Sequence, residues 1–166
     1  MKSQQEWIDT LQLEKHPEGG YYLRTEESKE TVVRNNQERK LYTSIYFLLT
    51  TESPSHFHQL TADEIWYYHD GEPLTVHCIF EDGHYEQIKI GKDISNGERL
   101  HYTVPKGTIF GSTVDKDYAL VSCAVIPGFD FTDFKLFTKK ELLEKFPEHE
   151  MIIDKLTLEK IKKTSL

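Results

Sequence analysis

The sequence predicts an all-β chain: an antiparallel jelly-roll β-barrel with a short N-terminal helix and one or two C-terminal helices. Three observations carry this. From Tyr21 to Ile126, runs rich in Val, Ile, Thr, Tyr and Phe alternate with turn residues at the spacing of a sandwich or barrel. The dipeptides Asp70-Gly71 and Asp82-Gly83 accept positive φ and suit hairpin turns, which join neighbouring strands antiparallel. The run Leu120 to Ile126 is apolar on both faces, so it requires a central place with a second layer over it.

At the N-terminus, Ser3 and Glu6 have the spacing of a capping box, and Trp7, Ile8 and Leu11 follow at helical intervals, which predicts a helix over 4–13. His16-Pro17-Glu18-Gly19-Gly20 breaks that pattern with a turn. Strands are expected over 21–25, 41–50, 64–69, 74–80, 84–90, 100–104 and 118–126. After Pro127-Gly128 come Phe129, Phe131, Phe134 and Phe137. Thr138 and Glu141 then form a second capping box and predict a helix over 139–146, ending before Pro147. A weaker helical pattern spans 152–163, on Ile152, Ile153, Leu156 and Ile161.

With 166 residues, 37% of them hydrophobic, the chain is expected to be one domain over 1–166, with a barrel over about 20–137 and a helical tail over about 138–164. Its two cysteines, Cys78 and Cys123, sit in apolar runs and read as buried free thiols. The N-terminus lacks the apolar stretch of a signal peptide, and no run approaches the roughly 20 apolar residues of a membrane span. A cytoplasmic protein without a membrane partner is expected. The net charge of −8, with both signs mixed along the chain, offers no basic field to a nucleic acid. Lys139-Lys140 and the cluster at 160–163 read as solvated helix faces.

The stretch from His56 to Gly71 carries the strongest chemical signal. Histidines at i and i+2 on an extended chain project to one face, so the imidazoles of His56 and His58 can converge. Glu64 can complete a set of two nitrogens and one oxygen suited to iron, manganese or a related divalent ion. Asp63 would lie on the opposite face of the strand from Glu64. Other chemistries find no support. The serines at 44, 55 and 112 lack a nucleophile elbow, neither cysteine sits in an electropositive turn, and there is no phosphate-binding glycine loop.

The order His56, His58, Glu64, Gly71 resembles the first motif of the cupin superfamily, which runs His-x-His, three or four residues, Glu, six residues, Gly. The six-residue gap before Gly71 is intact, and the five residues between His58 and Glu64 make that gap one longer than usual. Pro105-Lys106-Gly107 matches the second motif, yet Phe110 stands where that motif normally supplies a fourth ligand, histidine. The segments HPEGGYYLRTEES, TSIYFLLTTESPSHFHQLTADEIWYYHDGEPL, ERLHYTVPKGTIFGSTV and LVSCAVIPGFDFTDF look like the cupin_5 subgroup, domain of unknown function 985, over residues 8–145. The resemblance implies a jelly roll and a homodimer, and it brings no established reaction.

Three functions follow as expectations. In the first, His56, His58 and Glu64 hold a divalent ion (Fe, Mn, Ni or Zn), and Arg24, Tyr46, Trp66 and Tyr68 position a sugar derivative or small organic acid. In the second, no metal is present and an epimerase-like pair, His58 or His77 with Tyr46 or Tyr68, moves protons, Glu64 being a further acid–base candidate. In the third, the pocket binds a small molecule without turnover. His77 and Phe110 complete the expected pocket lining, and Arg24 is the named partner for a Glu64 that holds no metal. Without a metal, burial should leave Glu64 paired or with a raised pKa.

Overall fold

A computed structural model describes residues 2–159. Two antiparallel sheets face one another. The six-stranded sheet has the order β1 (Glu14–Lys15), β2 (Tyr21–Glu27), β5 (Thr43–Thr50), β12 (Tyr118–Ile126), β7 (Asp63–Gly71), β10 (His101–Val104). The five-stranded sheet has the order β13 (Lys135–Leu136), β6 (Ser55–Gln59), β11 (Ile109–Val114), β8 (Leu74–Ile79), β9 (Tyr85–Ile90). A separate hairpin pairs β3 (Thr31–Arg34) with β4 (Gln37–Lys40). Three short α-helices complete the fold: α1 (Gln4–Leu11), α2 (Lys139–Lys145) and α3 (Glu150–Lys155). This is the predicted jelly-roll class. No described helix is long and apolar enough to cross a membrane.

Both capping boxes form as the sequence spells them, Ser3 with Glu6 and Thr138 with Glu141. Each satisfies two backbone donors that the first helical turn leaves unpaired. Helix α1 lays Trp7, Ile8 and Leu11 on Leu48, Tyr118 and Leu120 of the outer face of the large sheet. The Trp7 indole N–H and the Tyr118 hydroxyl both donate to Asp70, at 3.1 and 2.6 Å, and so fix the angle at which α1 meets the sheet. Helices α2 and α3 cover the small sheet with Leu142, Phe146 and Ile153, packed on Phe57, Ile79 and Ile109. The predicted tail helix is shorter and begins earlier than expected, and its continuation over 160–163 lies outside the described residues.

Strand parity decides what enters the core. Cross-strand partners in the large sheet form inward rows: Tyr22, Phe47, Val121 and Tyr68; Arg24, Ile45, Cys123, Trp66 and Tyr102; Thr43, Val125, Glu64 and Val104. The facing sheet contributes Val76, Cys78, Phe110 and Ile88 to the same core. Burying a side chain of this size contributes about 1.5–3 kcal/mol. Strand β12 is central, as its double-sided apolar pattern predicts, but the layer over its outer face reaches only the Leu120 end. Of the six strands outside the expected spans, β1, β3, β4, β6, β11 and β13, the two that build the core are β6 and β11. Both lie under the C-terminal segment, and the alternation of β11 is masked because all six of its residues are buried.

Candidate functional site

The site lies between the two sheets, where a turn near the N-terminus meets strand β6. The segment His16 to Gly20 closes on itself: the His16 N–H donates to the Gly20 carbonyl and the Gly19 N–H to the His16 carbonyl, both at 3.0 Å. Gly19 and Gly20 have φ of 108° and 75°, and a Cβ on Gly19 would lie 1.9 Å from the Pro54 carbonyl oxygen. Only glycine permits that backbone and that approach. The turn is stitched to β6, because the His56 N–H and the His56 Nδ1–H both donate to the Glu18 carbonyl at 2.7 Å. It thereby delivers two side chains, His16 and Glu18, into the space between the sheets.

Glu18 meets His58 there. His58 Nε2 stands 2.7 Å from Glu18 Oε2, with 2% and 7% of the two side chains exposed. His58 Nδ1 lies 2.7 Å from the carbonyl oxygen of His56. A carbonyl only accepts, so Nδ1 carries a proton, and a carboxylate facing Nε2 requires a proton there too. His58 is therefore an imidazolium paired with a Glu18 carboxylate. Burial is the largest single effect and opposes the His58 cation, but the charge and hydrogen bond of Glu18, with Glu64 and the His56 carbonyl, together outweigh it, and the His58 pKa is raised. Glu18 is likewise penalised by burial, yet His58 and His16 hold its carboxyl below the usual value.

Glu64 responds in the opposite sense. Burial first, and then the neighbouring Glu18 charge, push its pKa up to about 7; His58, Cys123 and Trp66 offset only part of this. The Trp66 indole N–H completes no hydrogen bond of its own, although it lies close enough to favour the ionised Glu64. Two carboxyls in one site thus differ in protonation, Glu18 ionised and Glu64 poised near neutrality.

These groups line a cavity with ≈ 460 Å³ of empty space, its open mouth included, of which ≈ 30 Å³ admits the centre of a water molecule. Its apolar wall includes Tyr22, Phe129 and Phe131, and Arg24 stands at the edge. The aromatic segment is held in place by the β3–β4 hairpin, whose Arg39 grips both oxygens of Asp133 at 2.7 and 2.8 Å.

Several expected residues lie elsewhere. Tyr46 is on the outer face of β5, because Ile45 and Phe47 take the inward positions, and it packs toward α1. His77 also faces outward. It bonds Tyr85 and Thr113, its pKa is driven to about 4 chiefly by burial, and it borders a groove beside His149. Trp66 and Phe110 are core residues, Phe110 lying 4.2 Å from the His58 ring, centroid to centroid. The Tyr68 hydroxyl donates to the Gly71 carbonyl at 2.6 Å and is absent from the cavity wall. Arg24 pairs with Glu27 at 3.6 Å and not with Glu64. Asp63, as parity requires, turns away and accepts the Lys106 N–H. Of the expected site, the structure brings together Arg24, His58 and Glu64. It adds His16, Glu18, Tyr22 and the two phenylalanines.

The donor set does not fit a metal ion. The nitrogen of His58 that faces the cavity, Nε2, is paired with Glu18, whose oxygen at 2.7 Å occupies the space a metal would need. His56 does not line the cavity. Phe110 offers no ligand, and among the described residues no three His, Cys, Asp or Glu side chains are arranged to hold an ion. The structure does not gather the expected trio of His56, His58 and Glu64 around one point: His58 has Glu18 as its partner, and His56 lies off the cavity wall.

The family model "Cupin superfamily (DUF985)" matches residues 5–137. The chain belongs to the cupin superfamily. Among relatives, this cupin is 35% identical over 149 residues to an uncharacterised protein of Saccharomyces cerevisiae, covering 79% of this chain and 73% of the other. A hypothetical protein from Leishmania major superposes with a TM-score of 0.91 at 43% identity, covering 94% of this chain and 99% of its own. A Shewanella oneidensis protein also gives 0.91 and 43%, covering 96% and 100%. None of these descriptions names an activity.

A pH effect on stability follows from Glu64. Its pKa is 4.5 unperturbed and about 7 when folded, so between these values the native state holds the extra proton and stability falls as pH rises. His58 adds a loss of stability on the alkaline side, whereas Glu18 adds one on the acid side, so a difference measurement isolates Glu64. Glu64→Gln mimics the protonated form. Denaturant unfolding should find the variant close to wild type at pH 5 and more stable than wild type at pH 8, by up to about 3 kcal/mol. An equal offset at both pH values would show that Glu64 is ionised throughout.

Proposed function

We propose that this cupin binds a small oxygenated acid or acidic sugar derivative in the cavity and acts on it, without a resident metal, by moving a proton between the ligand and Glu64. The His58–Glu18 pair carries the reading: it uses the histidine a metal would need and places a fixed negative charge beside Glu64. Burial and that charge together keep Glu64 near neutrality, where a carboxyl both donates and accepts protons at working pH. Arg24 at the mouth receives the ligand's anionic group, a task for which its planar fork is suited. The aromatic wall excludes water, and the narrow interior limits the ligand to a small molecule. The chemistry is abstraction and return of a proton on a carbon beside a carbonyl, as in isomerases and epimerases. Tyr46 and His77 take no part.

A second copy of the chain is the proposed partner. Across β5, β12, β7 and β10, the outward rows Ser44, Ala124, Ile65 and Thr103, and Tyr46, Ser122, Tyr67 and His101, contain no Lys, Arg, Asp or Glu; the first row meets a charge only at Glu26 on β2. In a chain that is 29% charged, with net charge −8, such a face lets two copies meet without repulsion. Tyr67 and the adjacent Leu100 are 44% and 54% exposed on this side. Sedimentation equilibrium should report a dimer that Tyr67→Glu converts to monomer; a monomeric wild type contradicts this.

The reaction is tested by incubating the protein in D2O with 2-oxo acids, uronic acids and sugar phosphates and following C–H signals by NMR. Solvent deuterium should enter one substrate class, undiminished by chelator and slowed by at least about 100-fold in Glu64→Gln. Binding without exchange across the panel would leave a carrier and not a catalyst, and exchange abolished by chelator would restore a metal.

A further inference from the structure

We infer that His16 is the residue that hydrogen-bonds the ligand's oxygen, through an Nε2–H that the surrounding turn fixes in the neutral ring. This rests on the metal-free ligand pocket proposed above and adds the group that faces Glu64's substrate as an electrophile.

The Glu18 backbone N–H donates to His16 Nδ1 at 3.1 Å. An amide can only donate, so Nδ1 presents a lone pair and the single ring proton lies on Nε2. The approach of Glu18 Oε1 to the same nitrogen, at 3.8 Å, is for that reason not an ion pair. Pro17 and the closed turn hold both partners, leaving the tautomer little freedom to change. Burial, reinforced by the His58 cation, disfavours a second proton on His16 against the pull of Glu18.

His16 has 6% of its side chain exposed, and among the described residues nothing accepts its Nε2–H. The ring is packed by Tyr22 at 4.6 Å, Phe47 at 5.8 Å and Phe131 and Phe134 at 6.1 Å. It also lines the cavity that holds Glu18, His58 and Glu64. Unlike the indole nitrogen of Trp66, Nε2 is not sealed in without a partner; it opens on the cavity, where a ligand oxygen can accept its proton. The two cavity histidines therefore have opposite roles: His58 is a cation spent on Glu18, and His16 is a neutral donor left for the ligand.

In the reaction, Glu64 takes a proton from the carbon beside a carbonyl, the C–H electron pair moves into the enolate, and the oxygen that gains charge is the one His16 bonds. No electron leaves the ligand, and returning the proton restores both groups. A neutral imidazole suits this role, because it stabilises the developing charge without giving up its proton beforehand.

The test uses the full chain labelled with 15N at histidine. Long-range proton–nitrogen correlation at pH 7 should show His16 with a bare Nδ1 and a protonated Nε2, and formate, acetate or pyruvate at high millimolar concentration should shift the Nε2–H resonance. His16→Phe, which keeps an aromatic ring, should weaken binding of the most effective probe about tenfold, and His16→Gln, which keeps an N–H donor, should recover most of it. A proton on Nδ1 overturns the inference, as does an Nε2–H that none of the three probes moves. Deuterium exchange and metal content, measured on the same samples, report separately on the underlying reading: a bound ion with His16 in the stated tautomer defeats that reading alone.

Discussion

The rest of the site depends on one buried ion pair. Two opposite charges removed from water lose hydration worth several kcal/mol each, and only close geometry and further hydrogen bonds recover it. His58 and Glu18 meet at 2.7 Å, and the remaining His58 nitrogen is matched to a backbone carbonyl. The glycines of the His16–Gly20 turn let the backbone come close enough for Glu18 to reach, and the His56 hydrogen bonds fix the turn to β6. Removing either partner would leave an uncompensated buried charge, a loss of about 3–5 kcal/mol.

The same pair gives the site its electrostatic character. Burial, and after it the fixed Glu18 carboxylate, disfavour a second negative charge in the cavity, so Glu64 keeps its proton to near neutrality. A metal ion would reverse that logic, ionising Glu64 and repelling the imidazolium. The arrangement is self-consistent without one. The aromatic wall and the Arg39–Asp133 clamp then narrow the cavity around groups whose protonation is already set.

Much of the fold was legible because its signals are local. Both helix starts were written in capping boxes, and Glu64, Trp66 and Arg24 pointed inward as alternation required. Legibility failed where both faces of a strand are apolar or buried. In β5, Ile45 and Tyr46 compete for the inward position and the sequence does not choose; in β8, His77 sits between Val76 and Cys78, which face the core. The β3–β4 hairpin lacks alternation, although consecutive Asn35 and Asn36, both with positive φ, were a readable sign of its turn. The family motif drew attention to His58 but gave no sign of Glu18 as its partner. Glu18 lies 40 positions away in the sequence, in a segment that reads only as a turn, and no periodicity reports a contact between a turn and a strand. The spacing of His16 and Glu18 around a proline was the one available hint.

The central claim is that an internal carboxylate stands where an ion would otherwise bind. Metal content of the untagged protein, purified without chelator and then equilibrated with iron(II), manganese, nickel or zinc, tests it most directly. The account predicts far less than one ion per chain and a melting temperature unmoved by any of the four. One tightly held ion per chain, lost in His58→Ala, would contradict it.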